Sequence, residues 1–200
     1  PMLYSDSSRK AYATHLASFK HHESSIITVE PYDVDALHKA FEDAAREQVH
    51  IEAMFMEPVM GEGNPGRAVP RAFYAAAREL TRKHHTLLLV DSIQAGIRTT
   101  SHLSVVDYPE FAGLDAPDME TYSKALNAGQ YPLSVLAVSE RAEKCYRKGI
   151  YGNTMTTNPR AMDVASTDRR PTGEPAMADA ARSWQNDLDA RLEDLVGIEA

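Results

Sequence analysis

The segment LLLVDSIQAG, residues 87–96, decides the reading of the fold: four apolar residues run directly into Asp91, and a small-residue turn follows. An unbroken apolar run of strand length is the pattern of a strand buried on both faces, as in parallel sheets. Asp91 then stands at the carboxyl end of that strand, where open α/β sheets receive ligands.

The flanking sequence extends the pattern. Upstream, PRAFYAAARELTRKHH (residues 70–85) opens with Pro70 at a first-turn position, carries Phe73, Ala77 and Leu80 on one stripe and ends in basic residues suited to a helix C-terminus. Before it, IEAMFMEP (51–58) reads as a strand ending at Glu57, because Pro58 holds its predecessor extended and cannot donate to a ladder. VMGEGNPGRAVP (59–70) is then a Gly/Pro loop. Further upstream, the β-branched run 26–29 predicts a strand, and YDVDALHKAFEDAAREQ (32–48) predicts a helix capped by Asp33, with Leu37, Ala40, Phe41 and Ala44 at helical spacing. Downstream, METYSK (119–124) and LSVLAVSE (133–140) are two more short strands, followed by a helix over 140–148. The alternation predicts an α/β fold: a mainly parallel sheet covered by helices on both faces.

Composition narrows the function classes. Two hundred residues with 43% hydrophobic content suffice for one sizeable core. A net charge of −8 argues against nucleic acid or an anionic membrane as the main partner, since both reward clustered Lys and Arg. The longest apolar runs fall far short of the ~20 residues a membrane span needs. A lone Cys145 and no opening signal segment fit a cytoplasmic protein. Cys145 lies between Lys144 and Tyr146-Arg147 and reads as a passive helix residue more readily than as a reactive thiol.

Glu57, Asp91 and Lys124 all fall at strand carboxyl ends. Charges at such places are often only solvated loop ends, so the chemistry has to justify a site. A lysine amine condenses with an aldehyde to a Schiff base, and pyridoxal phosphate uses a lysine in this way, paired with an acid at its pyridine nitrogen. Asp91 is that acid in this reading: it keeps the ring protonated, so that the ring accepts the electrons released when the substrate Cα loses its proton.

EPVMGEGNPG, LLLVDSIQAGIRTT, DAPDMETYSKALNAG, YPLSVLAVSE and GNTMTTNPRAMDVA, in this order and spacing, resemble successive blocks of the class III aminotransferases, the ornithine, acetylornithine and 4-aminobutyrate type, over residues 25–165. The resemblance implies the large domain of a fold type I pyridoxal 5'-phosphate enzyme, present in part over residues 1–165, with residues 166–200 as a polar linker and an amphipathic helical tail. By position it gives Asp91 the pyridinium partner role, Ile93 packing on the ring face, Gln94 a hydrogen bond to the ring oxygen, and Lys124 the Schiff base and the proton shuttle at the substrate Cα. Thr154 matches a threonine reaching the cofactor phosphate of a neighbouring subunit, which implies a homodimer. Glu62 matches a glutamate that pairs with a substrate-binding arginine, and Glu57 lies at the edge of the site. The implied reaction moves an amino group from an amine or ω-amino acid to a 2-oxo acid.

The departures are specific. The family usually has Asp-Glu where this chain has Asp91-Ser92, and Gly-x-Gly-Arg-x-Gly where it has AGIRTTS, so Arg98 receives no role. The phosphate-binding Gly-rich turn and stacking aromatic are expected before residue 1, and the small domain with its carboxylate-binding arginine after NPRAMDVAS. TDRRPTGEP reads instead as a linker, and Ala181, Trp184, Leu188, Leu192 and Leu195 form a helical stripe on an acidic background that could dock on the chain's own core or on a partner. A second reading is therefore a non-catalytic remnant of such an enzyme, acting as a dimerisation or partner-binding module.

Other features are bland. The pairs His21-His22 and His84-His85 lack the i, i+4 spacing of helical zinc ligands, and no metal site is expected. GEGNPG lacks the Lys and Ser/Thr of a P-loop, and Ser92 lacks a nucleophile elbow. Met54, Met56 and Met60 read as packing.

Overall fold

The computed structural model describes residues 26–61, 65–95, 102–127, 130–147 and 158–168. Among these residues two compact units emerge, one from residues 26–52 and 72–86, the other from residues 53–71 and 87–168.

In the first unit, helix α1 (Val34–Arg46) starts where expected: the Asp33 carboxylate accepts the Ala36 N–H at 2.8 Å, satisfying one of the orphan donors of the first turn. Leu37, Phe41 and Ala44 are buried at i, i+4 and i+7, while Ala40 is only half-buried. On its exposed face Asp43 pairs with Lys39 and Arg46, and the hydrogen bond from Lys39 leads in holding its carboxyl below the usual range. Helix α2 (Arg71–Lys83) buries Phe73, Ala77 and Leu80 as the stripe predicts, together with Tyr74 and Thr81. Pro70 sits one residue before the helix, not within its first turn. Edge-to-face packing of Tyr32 on Phe73, with ring centroids 5.7 Å apart, and a tilted Phe41–His84 contact add aromatic burial. His85, at φ 58°, ends the segment in the left-handed region.

The β-branched run 26–29 forms no strand, contrary to expectation. Ile27 is 55% exposed, and no described strand pairs with the run; β-branching favours an extended chain only where a ladder and a packed face complete it.

The second unit holds a four-stranded sheet in the order β1 (Ala53–Met56), β2 (Leu87–Asp91), β3 (Met119–Tyr122), β4 (Val135–Val138). β1, β2 and β3 are parallel, with Met56 opposite Val90 and Asp91 opposite Thr121. β4 runs antiparallel to β3, so the sheet is mixed though mostly parallel. The reason lies in the connection: a parallel return needs a crossover of about a dozen residues or more, usually helical, and the described part of this one holds a single 3-10 turn, Lys124–Asn127.

Asp118 ties three strands together. Its carboxylate accepts the Leu88 N–H at 2.9 Å and faces Arg141 at 3.4 Å, its own N–H donates to the Leu88 carbonyl, and its carbonyl accepts from Ser139 N–H. Helix α3 (Glu140–Glu143), capped by the Ser139 hydroxyl, is shorter than predicted; Cys145 and Tyr146 donate to carbonyls three residues back, which tightens and ends the turn. Cys145 is exposed. Helix α4 (Pro159–Asp168) closes the described chain. Among the described residues no helix is long and apolar enough to cross a membrane.

Candidate active site

Because β1, β2 and β3 are parallel, their carboxyl ends lie along one edge of the sheet. Glu57 follows β1 directly, Asp91 ends β2, and Lys124 stands two residues beyond β3 at the start of its 3-10 turn. The structure therefore brings the three strand-end charges to the same edge, as the order of elements implies.

Asp91 is only 9% exposed. Its Oδ1 accepts two hydrogen bonds, one from the Thr121 hydroxyl on the neighbouring strand and one from its own turn, the Ile93 N–H, each at 3.1 Å. Among the described residues both bonds end on Oδ1, which leaves Oδ2 to accept from a further donor. A largely buried carboxylate held by one oxygen, with the other presented at a strand end, is the acceptor a protonated ring nitrogen requires. The residues present therefore fit pyridoxal phosphate at this point.

Ser92 faces the other way. Its N–H extends the ladder to the Thr121 carbonyl at 3.0 Å, and its hydroxyl donates to Glu120 Oε1 at 2.5 Å. Side chains alternate across a strand, so Asp91 with its register partner Thr121 lies on one face, and Ser92, two residues past the Val90 that stands opposite Glu120, reaches Glu120 diagonally on the other. Glu120 is 4% exposed, and burial pushes its carboxyl above the usual range against the opposing hydrogen bonds. The Tyr122 hydroxyl, beside Glu120, is raised chiefly by burial and next by that carboxyl. The buried Ser104 hydroxyl faces Glu120 without closing a hydrogen bond of normal geometry.

The loop after β1 completes this edge. Gly66, at φ 82°, turns the chain so that its N–H reaches the Met60 carbonyl, while Met60 bonds to Arg67 and Val69 to Pro58. Inside this turn Glu57 Oε2 accepts the Gly61 N–H at 2.8 Å. Gly61 lies hard against Gln94: a Cβ there would stand 2.5 Å from Gln94 Cγ. Glu57, Gly61 and Gln94 thus form one contact group beside the Asp91 turn. Ile93 is half-buried, and Lys124 is exposed. Glu62 and Thr154 lie outside the described residues. Among the described residues no cluster of three or more His, Cys, Asp or Glu side chains could hold a metal.

Sequence reading missed Thr121, Glu120, Ser92 and Gly61 as parts of this edge. Alternation along METY marks Thr121 and Glu120 as facing opposite ways, but only the register says which of them meets Asp91.

The sequence model of the class-III aminotransferases matches residues 4–197, past both ends of the blocks recognised in the sequence. The mitochondrial ornithine aminotransferase of Drosophila melanogaster is 29% identical over 175 residues, covering 85% of this chain and 38% of that protein. The acetylornithine aminotransferase of Elizabethkingia anophelis superposes with a TM-score of 0.70 at 26% identity, over 86% of this chain and 41% of its own. The ornithine aminotransferase of Toxoplasma gondii, crystallised with oxidised glutathione and with PLP at partial occupancy in its active site, gives 0.64 at 31% identity, over 76% and 34% of the two chains. The chain thus spans well under half the length of these relatives. A match over nearly its whole length, on a sheet whose strand ends carry Asp91 and Lys124, places the chain in the class-III aminotransferase family.

Proposed function

We propose that this chain is part of a pyridoxal phosphate-dependent aminotransferase that moves an amino group from an amine or ω-amino acid to a 2-oxo acid. The observation that carries the reading is Asp91, fixed through Oδ1 by Thr121 and Ile93 at a strand end, with Lys124 beyond the adjacent strand end. Bound here, pyridoxal phosphate supplies an aldehyde carbon that condenses with amines and a ring that accepts electrons from the substrate Cα.

The chain's own residues do the rest. Asp91, oriented by Thr121 and by the turn at Ile93, would accept from the ring nitrogen and keep it protonated. Lys124 Nζ would hold the cofactor and, when its amine is free, would take a proton from the substrate Cα and return it, as base and then acid. Gln94, pressed against Gly61, would hold the cofactor by donating a hydrogen bond to it, and Ile93 would pack against it. Glu57 orders the 57–61 turn at the edge of the site, and Glu62 takes the substrate-side role that the resemblance implies. By its resemblance to the family's threonine, Thr154 would hold the cofactor phosphate of a second subunit in a homodimer. The single cysteine of the chain fits a reducing compartment such as the cytoplasm.

The test is to incubate the chain with pyridoxal phosphate, reduce with borohydride and map the adduct by mass spectrometry, with Lys124→Ala as control. The expected result is a near-visible absorbance band and a single modified lysine at position 124, both lost in the variant. Modification spread evenly over surface lysines, or no adduct, overturns the reading and leaves a non-catalytic relative of the family.

A further inference from the structure

We propose that Glu120 is a positioning residue for Asp91, acting through its hydrogen bond to Ser92 from the face of the sheet opposite the cofactor edge. The inference rests on the reading of Asp91 as the cofactor's partner, but it concerns a residue that neither the motif blocks nor the strand-end charges single out.

The ends of β2 and β3 are joined twice. On one face Thr121 donates to Asp91; on the other Ser92 donates to Glu120, one residue further along β2 and one residue back along β3. Asp91 is aimed by its own turn, because Ile93 N–H bonds to Oδ1, and that turn pivots on Ser92 between them. A pivot held by one main-chain bond to Thr121 alone would leave the turn free to rock about the strand axis. The Ser92–Glu120 bond opposes that motion from the far side. Both partners are almost fully buried, so no water replaces either one.

Glu120 is faced from several elements. The Tyr122 hydroxyl, on its own strand, and the Ser104 hydroxyl lie beside it, and the Asp107 carboxylate is the other charged group facing it. Burial and Asp107 both favour the neutral acid, while the hydroxyls of Ser92 and Tyr122 favour the carboxylate. Whichever form is present, Oε1 remains an acceptor for Ser92. The clamp therefore needs an oxygen at this position and does not need a charge.

That gives a test with a conservative rescue. Glu120→Leu, Glu120→Gln and Ser92→Ala are compared by residue-resolved amide hydrogen exchange in the chain, with and without added pyridoxal phosphate. Glu120→Leu and Ser92→Ala are expected to speed exchange at the Ser92 and Ile93 amides roughly five- to tenfold, the loss of one buried hydrogen bond. The Leu88 and Asp118 amides, which Asp118 and Leu88 hold, should stay at the wild-type rate, and Glu120→Gln should restore Ser92 and Ile93. The cofactor dissociation constant should rise in the same two variants and recover with Gln. Unchanged Ser92 and Ile93 exchange in Ser92→Ala overturns the proposal. Equal acceleration of all four amides also overturns it, because it shows only general loss of stability. If Glu120→Leu does not fold, Ser92→Ala decides, since it removes one hydroxyl and leaves the Glu120–Tyr122 contact. Failure of the wild type to bind pyridoxal phosphate refutes the cofactor assignment, while the exchange data still decide whether Glu120 positions Asp91.

Discussion

Gly61→Ala measures how tightly the loop after β1 grips Gln94. The added Cβ would lie 2.5 Å from Gln94 Cγ, 3.1 Å from Gln94 Cβ and 3.1 Å from Glu57 Oε2. Carbon atoms in contact prefer about 3.5–4.0 Å, so the first contact is short by roughly 1 Å. Rotating the Gln94 side chain relieves Cγ but leaves its Cβ, so part of the strain passes to the backbone of the Asp91 turn. Overpacking of this kind costs about 1–3 kcal/mol. A glycine-to-alanine change also stiffens the unfolded chain, a gain of about 0.4–1 kcal/mol that is the same whatever residue stands at 94. The assay is urea unfolding of wild type, Gly61→Ala, Gln94→Ala and the double variant. With Cγ gone the closest clash vanishes, so the alanine should cost about 1 kcal/mol less in the Gln94→Ala background. If Gln94 is the ring-oxygen donor, cofactor affinity should fall in Gly61→Ala even though Asp91 and Lys124 are intact. The same penalty in both backgrounds would refute the argument that Gly61 is required by Gln94.

Further expectations follow from the same geometry. Asp118→Ala orphans the Leu88 N–H, costing about 1–3 kcal/mol, while the long, one-third exposed Arg141 pair adds about 0–1 kcal/mol. Asp118→Asn keeps an acceptor for Leu88 and should cost clearly less; equal denaturation midpoints for the two would contradict this. Asp91→Asn retains an oxygen for Thr121 and Ile93, so the fold should hold, whereas losing a charge-assisted bond of about 1.5–3 kcal/mol should weaken pyridoxal phosphate binding roughly 10- to 100-fold by titration. Glu120 gives a pH signature. Its carboxyl titrates above its ordinary value of 4.5 in the fold, so the folded state binds the proton more tightly than the unfolded chain does. Its penalty is therefore absent well below that ordinary value and grows as pH rises through the interval up to the folded value. Stability of Glu120→Gln relative to wild type should accordingly increase with pH across that interval and then level; a flat difference would show that Glu120 is not desolvated as described.

Much of this was legible in the residues themselves. The apolar run into Asp91, the Pro58 stop after Glu57 and the helix stripes through Phe41 and Phe73 are local patterns, set by spacing within one segment. They placed β1, β2, β3 and both long helices, and with the motif blocks they pointed to the class-III aminotransferases. Local pattern failed where pairing with distant chain mattered. Residues 26–29 have strand chemistry but no described ladder partner, and the direction of β4 depends on the connection before it, not on its own sequence.

The residues alone put a carboxylate and a lysine at strand ends, because strand ends are marked by their own residues. The tertiary structure decided what holds that carboxylate. Register is a relation between segments far apart in the chain, and a slip of one residue would turn Glu120 toward Asp91 and Thr121 away from it. Only pairing at Asp91 and Thr121 puts a hydroxyl on the cofactor edge and the second acid, with Ser92, on the buried face.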